Sequence, residues 1–163
     1  MPFNIIVNIE KQTLQLFDSA TKQSLKTYRI ATAKNGPGEQ YGSECTPRGN
    51  HIIRAKIGDN QAVNTVFIGR RPTGEIYNPS LRINFPDRDW ILTRILWLSG
   101  QQPGFNRLGK VDTMRRYVYI HGCPDEDEMG IASSHGCVKM RNSDVIELFN
   151  KVPVYTPVEI VES

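Results

Sequence analysis

Ser133-Ser134-His135-Gly136-Cys137-Val138-Lys139-Met140 lies near the C-terminal end of the sequence, and sixteen residues before its cysteine the apolar run Tyr117-Val118-Tyr119-Ile120 ends on His121. A thiol flanked by glycine and histidine, with a second histidine delivered from a strand end, has the parts of an acyl-transfer site. A free thiol, with a pKa of roughly 8.5, is only a few per cent thiolate near pH 7, so a nucleophilic Cys137 needs a base or a favourable field. His121 can be that base. Gly136 lets the backbone approach a substrate closely, and main-chain N–H groups around Cys137 can form an oxyanion hole. His135 reads two ways: its ring lies alongside the thiol, or it serves only structural hydrogen bonds.

Outward from this motif, short apolar runs broken by turn residues dominate: Phe3 to Ile9, Thr13 to Phe17, Leu25 to Thr32, His51 to Ile57, Val66 to Ile68, Ile91 to Leu98 and Arg116 to Ile120. Such spacing predicts a mainly β domain. Ile5-Ile6-Val7 and Leu14-Gln15-Leu16 predict an N-terminal hairpin turning through Glu10-Lys11-Gln12. Gly36-Pro37-Gly38 and Thr46-Pro47-Arg48-Gly49 punctuate a long loop before the strand at His51. One short helix is expected directly after the cysteine motif, over Asp144 to Phe149, capped by Asn142 or Ser143 with Val145, Leu148 and Phe149 on one face. A last strand is expected from Tyr155 to Val161.

A chain of 163 residues with 39% hydrophobic content can close one good core and is short for two, so residues 1–163 are expected to form one domain. The net charge of +3 is unevenly spread. Residues 70–116 hold nine Lys/Arg against four Asp/Glu, and residues 117–163 three against eight. The basic middle brings neither an RNA-binding signature nor zinc-finger spacing, so nucleic acid is not expected as a partner; a carboxylate-bearing small substrate or a plain solvated surface accounts for it. Three cysteines, Cys45, Cys123 and Cys137, exclude a complete internal disulfide framework and favour a reducing compartment. The first ten residues lack a basic n-region and a long apolar stretch, and no later stretch is long enough to span a bilayer. The expectation is a cytoplasmic chain without membrane association, or a periplasmic one if a leader has been removed.

His121-Gly122 followed by Ser134-His135-Gly136-Cys137-Val138 resembles the signature of the L,D-transpeptidase (YkuD) family. The opening Ile5-Val7-Asn8 hairpin with Lys11-Gln12-Thr13-Leu14, and Thr46-Pro47-Arg48-Gly49 before a strand, are also similar to that domain. The resemblance implies a YkuD-like β-sandwich and a cysteine that attacks the L-centre carbonyl of the third residue, commonly meso-diaminopimelate, of a peptidoglycan stem tetrapeptide. D-Ala then leaves, and an amine or water resolves the thioester. It makes Cys137 the nucleophile and His121 the base, with the Gly122 carbonyl orienting the imidazole. His135 and Gly136 would shape the oxyanion pocket, and Ser134 would hold the loop. Lys139 stands where Arg or Asn is more usual, so it offers substrate a point charge rather than a bidentate contact. The acidic segment 125–128 beside the site would favour the amino group of diaminopimelate.

With no leader or wall-binding module seen, water is the expected acceptor, making this an L,D-carboxypeptidase acting on tetrapeptides or muropeptides in wall recycling. The alternative is a cross-linking or exchanging L,D-transpeptidase. Carbapenems are expected as covalent inhibitors. No cofactor and no metal are expected, although the two His-Gly-Cys copies, His121-Gly122-Cys123 and His135-Gly136-Cys137, raise a minor zinc-binding alternative whose spacing is atypical. Cys123 reads as a packing residue, with a resolving thiol for oxidised Cys137 as its second reading.

Overall fold

Side-chain alternation builds the N-terminal hairpin in the computed structural model, which describes residues 1–163. Ile5 and Val7 of β1 (Phe3–Asn8) stand opposite Leu16 and Leu14 of β2 (Thr13–Asp18), and all four are buried. The predicted turn closes the hairpin, with Asn8 Oδ1 accepting the Lys11 N–H and Gln12 at φ 53°. The remaining strands are β3 (Ser24–Ala31), β4 (Gly49–Ile57), β5 (Thr65–Ile68), β6 (Arg71–Ile76), β7 (Ile91–Gly100), β8 (Tyr119–Gly122), β9 (Val138–Met140) and β10 (Pro157–Val161).

All ten strands hydrogen-bond in the order β4-β10-β1-β2-β3-β9-β8-β7-β5-β6, and β4 also pairs with β7. That extra pairing joins the two layers of the sandwich, so eight strands run continuously around one core. β5 and β6 form a flap on the half of β7 that β4 leaves free. Inside lie Ile5, Val7, Leu14, Leu16, Ile30, Ile53, Leu96, Leu98, Ile120, Val138, Met140, Val158 and Ile160. Burying each such aliphatic side chain contributes roughly 1.5–3 kcal/mol.

Helix α2 (Asn142–Lys151) packs Val145, Leu148 and Phe149 into this core, as their shared face predicts. Its boundary differs from expectation. Arg141 is the N-cap, and Asn142 lies inside the first turn because its amide has another task. Asn142 is buried, accepts from Thr93 Oγ1 at 2.7 Å and donates to Asn64 Oδ1 at 2.9 Å. Thr93 sits where the β7 register shifts, at φ 75°, a conformation costly for a β-branched residue and sustained here by bonds from Asn64 N–H and to Asn142.

Two other boundaries moved, and one element is new. The run Arg116 to Ile120 becomes strand only at Tyr119, because Asp112 accepts the Arg115 and Leu108 N–H groups and holds the preceding residues in a turn. The last strand begins at Pro157 rather than Tyr155, after a turn in which Thr156 Oγ1 donates to the Pro153 carbonyl. A second helix, α1 (Pro79–Asn84), was not expected; Asn78 caps it, accepting the Leu81 N–H at 3.1 Å, with Pro79 at its first position.

Gly122 shows how closely helix and strand meet. A Cβ there would overlap Asn142 Oδ1 and lie 2.7 Å from the Leu92 carbonyl oxygen. Gly122→Ala is therefore expected to destabilise the fold by about 1–3 kcal/mol, as overpacking does. Denaturant unfolding of the variant checks this, and an unchanged midpoint would contradict it.

Candidate active site

β8 and β9 run parallel, with Ile120 opposite Val138 and His121 opposite Lys139. Ile120, Val138 and Met140 point into the core. By the period of two, Tyr119, His121, Cys137 and Lys139 share the other face. Two short strands thus place the candidate base and the candidate nucleophile on one face of the sheet.

His121 is buried, and its Nδ1 lies 2.6 Å from the Gly122 carbonyl oxygen. A carbonyl only accepts, so this bond assigns the proton to Nδ1 and leaves Nε2 with a free lone pair. Burial lowers the imidazole's pKa, and the nearby Asp89 carboxylate opposes this only in part. The Nδ1–H tautomer is thus fixed, and the neutral ring is favoured.

Cys137 is partly exposed. Its sulfur accepts from the Tyr119 N–H at 3.3 Å and donates to the Tyr117 carbonyl at 3.5 Å. Burial pushes the thiol up to about 12, while the Tyr119 N–H and the Arg116 guanidinium act in the opposite direction. Desolvation thus favours thiol and imidazole over thiolate and imidazolium.

The loop before Cys137 is tied at several points. Ser134 Oγ donates to the Cys137 carbonyl at 2.5 Å and accepts the Gly136 N–H at 3.2 Å. Gly136 has φ 132°, and a Cβ there would lie 3.2 Å from the Cys45 carbonyl oxygen. Thr46 Oγ1 donates to the Gly136 carbonyl at 2.9 Å and accepts the Ala33 N–H at 2.9 Å, stapling the long loop onto the cysteine loop. Arg116 adds a second staple, donating to the Cys45 carbonyl at 2.6 Å. The N–H groups of His135 and Cys137 donate to no protein acceptor, so they are the candidate oxyanion donors. Gly136 N–H is already engaged by Ser134.

A cleft of about 460 Å³ opens over the sulfur, lined by Cys137, Tyr117, Tyr119, His135, Asp89, Arg116 and Arg70 among others. His135 is exposed, with Nδ1 3.9 Å from Asp89 Oδ1, and it stands at the mouth rather than against the thiol. Nothing in the composition or spacing singles out Asp89, Arg70 or Arg116. Only the fold gathers them.

Two charged groups singled out in the sequence are paired within the protein. Lys139 is buried and its Nζ lies 3.0 Å from Asp127 Oδ2, so its charge is matched by a carboxylate of the protein. The segment 125–128 is not an open acidic field either. Asp127 also accepts from Arg82 at 2.7 Å, and these two cations hold its carboxyl below the usual range although burial acts against them. Glu126 accepts from the Tyr77 hydroxyl.

Cys123 lies outside the lining of the cleft, packs with Ala31 and Met129, and donates to the Met140 carbonyl at 3.3 Å. Burial pushes its thiol up to about 12, as suits a packing residue. No three His, Cys, Asp or Glu side chains gather to hold a metal, so the two His-Gly-Cys copies do not form a four-ligand set.

A family model described as the L,D-transpeptidase catalytic domain (YkuD) matches residues 2–160. Among curated proteins, the probable L,D-transpeptidase YbiS of Escherichia coli K12 is 45% identical over 47 residues, 29% of this chain and 15% of that protein. Among solved structures, an L,D-transpeptidase from Mycobacterium smegmatis aligns over 98% of this chain and 58% of its own, with TM-score 0.59 and 17% identity. L,D-transpeptidase 3 from Mycobacterium tuberculosis, solved in complex with a faropenem-derived adduct, aligns over 99% of this chain and 60% of its own, with TM-score 0.60 and 13% identity. The chain thus spans little more than half of these solved relatives and a much smaller part of the curated one. At such identities the structural likeness is one of fold.

The protonated resting thiol predicts slow alkylation at neutral pH. The rate of iodoacetamide labelling at Cys137 should climb from pH 7 to pH 10 without a plateau, because the thiolate fraction grows about tenfold per pH unit below the pKa. Peptide mapping by mass spectrometry reads this out, and a plateau near pH 8 would show a preformed thiolate instead.

Proposed function

The chain belongs to the L,D-transpeptidase (YkuD) catalytic-domain family, and on that premise we propose that it transfers the acyl group of a peptidoglycan stem tetrapeptide to water through a Cys137 thioester, releasing the terminal D-Ala. The observation that carries this reading is a neutral His121, fixed by the Gly122 carbonyl, on the same sheet face as a protonated Cys137. In this scheme His121 Nε2 takes the thiol proton as sulfur attacks the carbonyl carbon of the third residue. The oxyanion receives the N–H groups of Cys137 and His135. The C–N bond breaks, and the D-Ala amine leaves with the proton returned by His121. Water then attacks the thioester, giving its proton to His121, and the proton returns to the departing sulfur.

Water is favoured as acceptor because it needs no receptor, and the cleft mouth at His135 is open. Transfer to an amine is the second reading. Asp89, half exposed at that mouth, is a carboxylate able to hold an incoming ammonium group.

Incubation with a disaccharide tetrapeptide, with and without an amine acceptor, followed by mass spectrometry, separates the readings. Loss of D-Ala alone marks hydrolysis, and a dimer or exchanged D-amino acid marks transfer. Cys137→Ala should abolish turnover while folding normally. His121→Ala should lower it about 10²–10⁴-fold, the range for a lost general base. Full activity without the thiol would end the proposal.

A carbapenem should also acylate Cys137, because its strained carbonyl presents the same electrophile to the same oxyanion donors. Intact mass should rise by the mass of the drug in the wild type and stay unchanged in Cys137→Ala. An equal rise in the variant would place the reaction elsewhere.

A further inference from the structure

We propose that Arg70 is the carboxylate receptor of this cleft and sets its preference for substrates with a free carboxylate beside the scissile bond; the proposal rests on the reading of Cys137 as the nucleophile. Arg70 follows Gly69 in the turn of the β5–β6 flap, at φ 64°, and it lines the same cleft as Cys137. Its guanidinium carbon lies 4.8 Å from the Trp97 ring centroid and 4.7 Å from that of Tyr117. The Trp97 and Tyr117 centroids are themselves 6.0 Å apart. One further contact fixes its azimuth: Nη1 donates to the Tyr119 hydroxyl at 3.1 Å.

A guanidinium carries five N–H donors in a planar fork suited to a carboxylate, and aromatic stacking holds such a fork without consuming its donors. Arg70 makes one side-chain hydrogen bond and no ion pair. The other cations near the site are engaged. Arg82 and Lys139 pair with Asp127, and Arg88 pairs with Glu75. Arg116 donates to the carbonyls of Gly38 and Cys45. Asp89, the acidic group of the cleft, stands by His135. Arg70 is thus the pre-positioned cation with free donors in the cleft that holds the sulfur.

Two carboxylates of a stem tetrapeptide could occupy this fork, that of the terminal D-residue and that on the side chain of the third residue, and the experiment separates them. Turnover is measured for the wild type, Arg70→Gln and Arg70→Lys with the free acid, its C-terminal amide and its side-chain amide, after circular dichroism has verified folding. The wild type should prefer the acid over one of the amides. Arg70→Gln should raise KM for the acid roughly 10–100-fold, the scale of a lost charged hydrogen bond, leave kcat within about twofold, and abolish the preference for that amide. Arg70→Lys should recover only part, since an ammonium lacks the fork. The amide that loses discrimination identifies the carboxylate. Undiminished discrimination in Arg70→Gln would overturn the proposal, as would a wild type that turns over both amides as fast as the acid.

If the wild type turns over no tetrapeptide at all, the functional reading fails by itself. The receptor is then read from protection: acetyl-D-alanine should slow iodoacetamide labelling of Cys137 in the wild type, acetyl-D-alaninamide should not, and Arg70→Gln should respond to neither. Equal protection by acid and amide would overturn it.

Discussion

Where β8 and β9 run parallel with Ile120 opposite Val138, alternation leaves no freedom about which side chains meet. The core claims Ile120, Val138 and Met140, so His121 and Cys137 must both lie on the opposite face of the sheet. A one-residue slip of either strand would put an imidazole or a thiol into the hydrophobic interior and strip the cleft of its chemistry. The site's geometry is therefore enforced by the core rather than by contacts between the two reactive groups. Neighbouring features serve this pairing. Gly122 admits Asn142 against the strand, and Asn142 in turn bonds Thr93 at the irregular point of β7.

The electrostatics follow from the same burial. Desolvation disfavours charge on both partners, lowering His121 and raising Cys137, so the resting state carries no net separation of charge in the dyad. Under the proposed function, such a pair gains its reactivity when a substrate supplies both the electrophile and the oxyanion to which the N–H groups of His135 and Cys137 donate. Arg116 contributes a positive charge close to the sulfur while also fastening the long loop. Removing it would alter the architecture and the field together.

Much of this was legible in the sequence because two short-range signals are strong. Alternation of Ile5, Val7, Leu14 and Leu16 specifies a hairpin, and the i, i+3, i+4 spacing of Val145, Leu148 and Phe149 specifies α2. The His121 and Cys137 motifs could be read because their residue types carry chemistry. Boundaries were less legible where side chains from distant segments decide them. Asn142 looked like a helix cap but is claimed by Thr93 and Asn64; Tyr117 looked like strand but belongs to a turn at φ 56°. The flap strand β6 is largely polar and exposed, so it carries no periodic signal. Asp89, Arg70 and the Lys139–Asp127 pair depend on long-range placement, which local spacing does not encode.

The position of β10 has a consequence for how the protein is made. It lies between β1 and β4, running parallel to β1, so β1, the N-terminal strand of this sheet, finds one of its two neighbours only when residues 157–161 emerge. At a translation rate of about 5–20 residues per second, that edge of β1 waits on the order of ten seconds. During that interval Ile5, Ile6 and Val7 present unpaired backbone beside apolar side chains, a template for pairing with another chain. Soluble yield should then depend on elongation speed and on chaperones that cover nascent strands, more than on the stability of the finished fold.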